Sequence, residues 1–239
     1  MFDTVYPFIS AECQSGFRKN SSTSLQLLRL VQQWSEAVDQ GCYVGVIFLD
    51  LQKALDRVWH GCLLAKLEVM GVRGDALSWF HSYLSGRSQC TEVAGVTSEF
   101  ADLHAGDPQG AILIPLLFTV FVNDLPKHVS SSDINLFADD TSASIQAKTA
   151  SALTDGLRAA VAECSAWFSR WFLTVNDKIS ELLVIRSKRM KPLSLSVRLN
   201  GTDIPRFRLR SISEFMSVSF CHGQILSTKF VHGPASRLD

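Results

Sequence analysis

Ile134-Asn135-Leu136-Phe137-Ala138-Asp139-Asp140-Thr141-Ser142-Ala143-Ser144-Ile145 is the stretch that decides how this chain folds. Two short runs carrying apolar side chains flank a pair of acids, the pattern of a β-hairpin with a polar turn. The hairpin sets Asp139 and Asp140 at its tip. Adjacent carboxylates repel, and apolar neighbours raise the cost of keeping both charged. A divalent cation removes that cost, and magnesium prefers hard oxygen ligands with positions left for water and phosphate.

A third acid lies upstream. Tyr43-Val44-Gly45-Val46-Ile47-Phe48-Leu49 is a continuous apolar run that stops at Asp50, and a run so short and rich in β-branched and aromatic residues reads as a buried strand. A strand-end Asp beside a hairpin Asp-Asp is the arrangement a two-metal phosphoryl-transfer site requires. Taken alone, Asp139-Asp140 fits a solvated turn as well as a metal site, and Asp50 fits a helix cap.

Around these residues the periodicity is mixed. Residues 24–41 read as a helix with Leu27, Val31, Trp34 and Val38 on one face, capped by Ser22 or Thr23 and closed by Gly41. Further helices are expected over residues 62–70 and 76–84, and a strand with a turn at Gly95 over residues 91–97. Gly106-Asp107-Pro108-Gln109-Gly110 is a turn by composition, and residues 111–125 form a helix buried nearly all round. Residues 130–133 are a loop. Thr149 caps an amphipathic helix lined by Leu153, Leu157, Ala160, Val161, Cys164 and Trp167, with Trp171 extending the stripe, and shorter apolar runs over residues 171–185 suggest strands. The fold class expected is α+β.

With 239 residues, 46% of them hydrophobic and 19% charged, the chain can bury a real core. The longest apolar run, residues 111–122 with Pro115 inside it, is too short to span a bilayer, so no membrane partner is expected. Twenty-three basic residues balance 23 acidic ones, so a nucleic-acid partner must be argued from local residues. One local bias exists: Lys178, Arg186, Lys188, Arg189, Lys191, Arg198, Arg206, Arg208 and Arg210 are opposed within residues 178–210 only by Glu181 and Asp203. Six cysteines without a C-x-x-C pair read as thiols of a reducing compartment. With no signal-like N-terminus, an intracellular location is expected, nuclear or cytoplasmic alike.

The chain resembles the reverse transcriptase domain of non-LTR (LINE-type) retrotransposons, over nearly all its length to about Phe220. Gln14-Ser15-Gly16-Phe17-Arg18 with Ser22-Thr23 is similar to the family's fingers motif. Phe48-Leu49-Asp50-Leu51-Gln52-Lys53-Ala54-Leu55-Asp56-Arg57-Val58-Trp59-His60 resembles motif A. Pro108-Gln109-Gly110, then Pro115-Leu116-Leu117-Phe118 and Asn123-Asp124-Leu125-Pro126, resemble motif B and its helix, and Leu136-Phe137-Ala138-Asp139-Asp140 resembles motif C. The resemblance implies a right-hand polymerase fold of palm and partial fingers over residues 1–220, an antiparallel palm sheet packed on helices, no thumb, and an irregular tail over residues 221–239. It implies template-directed addition of deoxynucleotides to a primer 3′ hydroxyl. Asp50, Asp139 and Asp140 would be catalytic, with Asp50, Asp139 and the Leu51 carbonyl holding two Mg2+ ions (or Mn2+). Arg18, Leu55, Gln109 and Gly110 would meet the nucleotide, and Lys178, Arg186, Lys188 and Arg189 the nucleic acid. Implied partners are an RNA template, a DNA primer and deoxynucleoside triphosphates, with a separate endonuclease or thumb-supplying protein alongside.

Several positions depart from the family pattern. Leu55 stands where an aromatic residue excludes the ribose 2′ hydroxyl, so poorer discrimination against ribonucleotides is expected. Asp107 replaces an apolar residue, Ala111 a serine and Ile114 a glycine. Ile179-Ser180 stand where Lys-Thr precedes Glu181, with Lys178 one position early, and Phe215-Met216-Ser217-Val218 replace a Leu-Gly turn. Three readings follow: a polymerase domain, a catalytically inactive remnant, and a module whose basic stretch contacts phosphates without chemistry.

Overall fold

The structure, a computed structural model, describes residues 13–17, 20–106 and 113–207. Arg18, Asp107, Gln109, Gly110, Ala111, residues 215–218 and the tail 221–239 lie outside the described residues.

Helix α1 (Thr23–Asp39) begins at Ser22, whose hydroxyl accepts the Leu25 N–H at 3.1 Å and so satisfies one of the helix's unpaired donors. It leads into β1 (Tyr43–Leu49), a single 3-10 turn (Leu55–Arg57), α2 (His60–Val69) and α3 (Gly74–Leu84). Four two-residue strands follow: β2 (Ser88–Gln89), β3 (Glu92–Val93), β4 (Val96–Thr97) and β5 (Ala101–Asp102). They form two small ribbons, β2 with β5 and β3 with β4. The strand expected over residues 91–97 is thus a hairpin, turned at Ala94 and Gly95, both of positive φ.

The helix expected over residues 111–125 is described as α4 (Ile114–Val122), and a second short helix, α5 (Leu125–His128), follows at its expected end. Each has a proline in its first turn, Pro115 and Pro126, where the missing N–H costs nothing; inside a single continuous helix Pro126 would break it. The hairpin β6 (Asp133–Phe137) and β7 (Asp140–Ala147) comes next, with Asp133 already in the strand rather than in the loop. Then come α6 (Ala150–Arg170), capped by Thr149 as its sequence predicts, β8 (Glu181–Ile185), β9 (Arg198–Leu199), β10 (Thr202–Asp203) and β11 (Arg206–Phe207).

The main sheet has the order β11-β8-β1-β7-β6. Three of its four pairings are antiparallel, as expected, and the fourth, at the edge, runs β11 parallel to β8. Alternation divides the side chains of β1. Val44 and Val46, with Leu183 and Ile185, face Leu27, Leu30, Trp34 and Ala37 of α1. The buried stripe of α1 is therefore rotated slightly from the expected one, with Val31 and Val38 at its margin. Ile47 and Leu49 face the larger core, which contains Leu153, Leu157, Ala160 and Trp167 of α6 and the apolar side chains of α4. Gly45 lets α6 pack closely there: a Cβ would stand 3.0 Å from the Leu157 methyls, which would have to shift.

The core also holds a charge. Lys66 of α2 donates to the Phe121 carbonyl at 2.6 Å and to Asp124 Oδ1 at 2.5 Å. Its ammonium lies over the rings of Phe121, Trp167 and Trp171 at 4.9, 4.6 and 3.9 Å, so one side chain ties α2, α4, α5 and α6 together. Burial pushes its pKa down to about 8 against the opposing pull of Asp124. Among the described residues the cysteines are free thiols, and no helix is long and apolar enough to cross a membrane.

Candidate active site

Strand register brings the three predicted acids together. β1 pairs with β7 up to Leu49 opposite Thr141, so Asp50 leaves β1 at the end of the sheet where Asp140 begins β7. Alternation gives Asp140 the same face of β7 as Ser142, which pairs with Phe48 of β1. Asp139 occupies the turn with Ala138, whose φ is +57°. Burial first, then the charges of Asp139 and Asp50, push the Asp140 carboxyl up to about 8. The three groups therefore interact electrically across two strands.

The backbone around Asp50 is held from the β8 side. Its carbonyl accepts the Asn176 N–H at 2.7 Å, and its own N–H donates to Ser180 Oγ at 3.3 Å. The buried Ser180 closes this loop by donating its hydroxyl to the Asn176 carbonyl at 2.7 Å. Leu51 bridges Val175, flanked by the Asn176–Asp50 bond and by Gln52 N–H donating to Thr174 O at 2.8 Å. In that pattern the polar groups of Leu51 turn away from Val175, to the flank on which β7 runs. Its carbonyl is thus directed to the side of the hairpin acids.

A second clamp acts on the hairpin. Ser15 N–H donates to Leu136 O at 2.9 Å, and Leu136 N–H to Cys13 O at 2.7 Å, so residues 13–15 run along the free edge of β6. The buried Gln14 turns its carboxamide oxygen to the N–H groups of Gly16 and Ala138, at 2.7 and 3.2 Å. A Cβ at Gly16 would lie 2.2 Å from the Ala138 nitrogen, which excludes any other residue there. The stretch expected in the fingers by resemblance therefore braces the turn that presents Asp139. Gln14 and Ser180 are the residues whose part the sequence reading missed. Their signals were a glutamine two residues before an obligatory glycine, and a hydroxyl retained where the family has threonine.

The other predicted positions fall as follows. Leu55 sits on the 3-10 turn, 39% exposed. Lys178, Lys188 and Arg189 are exposed, whereas Arg186 donates to the carbonyls of Ser187 and Met190 at 3.1 and 2.7 Å and shapes its own loop. Arg198 pairs with Asp203 at 3.1 Å. Arg18, Gln109 and Gly110 lie outside the described residues.

Among the described residues no three His, Cys, Asp or Glu side chains close into a ready metal cage. The groups that influence one another here are three carboxylates, hard oxygen donors suited in chemistry to a divalent cation. Magnesium is characteristically held by one or two carboxylates, with water and substrate phosphates completing its shell. The residues fit such an ion.

Comparison with known proteins agrees. Residues 6–198 match the family model described as reverse transcriptase (RNA-dependent DNA polymerase). The chain is 31% identical over 195 residues to a probable RNA-directed DNA polymerase from transposon BS, and 32% identical over 188 residues to one from transposon X-element, both of Drosophila melanogaster. These alignments cover 79% and 77% of this chain. With the polymerase from mobile element jockey of the same fly it shares 33% identity over 170 residues. The chain spans about a fifth of the length of these relatives, 21%, 21% and 18%. Among solved structures, apo telomerase of Candida tropicalis, truncated from its C-terminal domain, aligns over 84% of this chain and 42% of its own, with TM-score 0.58 and 11% identity. Telomerase of the same yeast with a fragment of telomeric RNA aligns over 92% and 40%, with TM-score 0.57 and 11% identity. At that identity the likeness is one of fold. The chain belongs to the reverse transcriptase family, and its curated relatives are polymerases of mobile elements.

Proposed function

We propose that the chain is the palm and partial fingers, over residues 1–220, of an RNA-directed DNA polymerase of non-LTR type. It adds deoxynucleotides to a primer 3′ hydroxyl on an RNA template. The observation that carries this reading is the meeting of Asp50 and Asp140 at the shared end of β1 and β7, with Asp139 in the adjoining turn and Asp140 pushed up to about 8. Family membership supports it, because these polymerases use divalent metal ions and read a nucleic-acid template.

Asp50, Asp139 and the Leu51 carbonyl would hold two magnesium or manganese ions, with Asp140 in support. Bound there, the ions supply activation of the attacking hydroxyl and stabilisation of the departing pyrophosphate. The chain's own residues fix the donors. Ser180 and Asn176 hold the Asp50 backbone, Gln14 holds the Ala138 turn, and the sheet register sets the spacing between the two. Arg18, Gln109 and Gly110 would contact the nucleotide, and Leu55 its sugar. A thumb and an endonuclease would come from other parts of a longer protein or from a partner.

A second reading, an inactive remnant that still binds nucleic acid through Lys178, Lys188 and Arg189, is favoured by the departures at Leu55, Ile179 and Ile114. Primer extension on an oligonucleotide-primed RNA template with magnesium and deoxynucleotides, beside an Asp139→Ala control, separates the two. Extension abolished in the control supports the polymerase. No extension from a folded chain, with RNA binding that falls steeply as salt rises, supports the remnant.

A further inference from the structure

We infer that Trp59 and Phe172 form a stacking platform for an unpaired nucleobase of single-stranded nucleic acid at the border of the candidate active site. The inference rests on the polymerase reading above, for which it names where a strand lies.

Exposed aromatic residues scattered singly are ordinary. These two come from segments far apart in sequence and meet in solvent, 43% and 57% exposed, with ring centroids 5.4 Å apart and planes tilted by 44°. The backbone under each is fixed. Trp59 bridges Ala105, and its neighbour His60 donates to the His104 carbonyl at 3.2 Å and pairs through Nε2 with the Gly106 carbonyl at 2.7 Å.

Phe172 follows the C-cap Trp171 of α6 with φ +60°, and Leu173 N–H donates back to Phe168 O at 2.9 Å. That helix-ending position favours glycine, and a bulky side chain there is strained. The ring is held outward against the backbone's own preference.

The platform is joined to the acids by short bonds. Arg57 donates to Thr174 Oγ1 at 2.5 Å, Gln52 N–H to Thr174 O at 2.8 Å, and Asn176 N–H to Asp50 O at 2.7 Å. The two segments, residues 51–60 and 170–178, carry Lys53, Arg57, Arg170 and Lys178 against Asp56 and Asp177. Exposed aromatic rings among a cationic excess are the surface that holds single strands without reading sequence, the bases on the rings and the phosphates on the cations.

The test is binding of fluorescein-labelled oligoadenylate RNA to the full chain in EDTA, so that no extension occurs, beside an abasic oligomer of equal length. Phe172→Gly removes the ring while supplying the residue its φ favours, so the variant keeps or raises the unfolding midpoint. Trp59→Leu removes the other ring. Each substitution is expected to weaken oligoadenylate binding about tenfold and to leave the abasic oligomer unaffected. Unchanged oligoadenylate affinity in Phe172→Gly overturns the platform, as does an equal loss for both oligomers or a wild-type chain that binds neither. Primer extension by the wild-type chain is measured separately. Its absence counts against the polymerase reading, while the platform stands or falls on the binding arms.

Discussion

The carboxamide oxygen of Gln14 accepts the backbone N–H of Ala138, 124 residues away, at 3.2 Å, so a single side chain steadies the turn that carries Asp139. Gln14→Ala leaves the amides of Ala138 and Gly16 without that acceptor in a buried setting, at a cost of about 1–3 kcal/mol. Urea unfolding should show the drop in midpoint, and primer extension should require more magnesium for half-maximal rate. Gln14→Glu, which keeps an acceptor oxygen, should recover most of the stability. An unaltered midpoint in Gln14→Ala would mean that the bond holds nothing in place.

Asp140 makes the metal-free fold sensitive to pH. Its carboxyl titrates near 8 in the folded chain, above its ordinary value of 3.8. Between those values the folded state keeps a proton that the unfolded state has released. Stability therefore falls as pH rises from about 4 to about 8. Unfolding midpoints measured in EDTA should show this decline, Asp140→Asn should flatten it, and magnesium should reduce it in the wild type.

Lys66 acts with the opposite sign. Its ammonium titrates near 8 in the fold and near 10.5 when unfolded, so the unfolded chain holds the extra proton in between and stability rises with pH there. Burial pushes the Cys164 thiol from 9.0 to about 12, which opposes the gain above pH 9. A rise confined to roughly pH 8–9 is expected, absent in Lys66→Met. Lys66→Ala, which also empties the space among three rings, should cost about 2–5 kcal/mol by chemical denaturation. Equal midpoints for the Ala and Met variants would refute a packing role.

Leu55 can be tested directly as a sugar-selecting residue. It is partly exposed on the 3-10 turn that follows Asp50, and a phenyl ring would fill more of the space beside a ribose. Leu55→Phe is expected to improve discrimination against ribonucleotides by roughly tenfold, read as the ratio of single-nucleotide incorporation efficiencies. Equal ratios in the two proteins would remove Leu55 from sugar selection.

The elements that the sequence disclosed well are those with local causes. The apolar run before Asp50, the paired acids of the hairpin and the Thr149-capped helix each follow from periodicity within one segment. The three acids were legible as a set because strand ends and turn tips are local features. What the sequence withheld depends on partners remote in the chain. Nothing near Gln14 announces Ala138, nothing near Lys66 announces Trp167 and Trp171, and the hydroxyl of Ser180 gains its meaning only from the Asp50 amide. The end of α4 at Val122 was signalled by the polar Asn123-Asp124 pair and by Pro126, which opens α5.

The order of the main sheet has a consequence for how the chain leaves the ribosome. β1 lies at its centre, yet both neighbours are translated long afterwards: Leu49 pairs with Thr141, and Phe48 with Glu181. At about 5–20 residues per second, the strand waits roughly 5–20 s for its first partner. During that interval α1, already synthesised, can shelter the Val44–Val46 face, while the core around Ile47 and Leu49 is incomplete until α6 emerges. The nascent chain thus exposes a β-rich apolar segment with open edges, a natural client for a chaperone that grips extended hydrophobic peptides, and its yield on expression should depend on translation speed over the residues between β1 and β7.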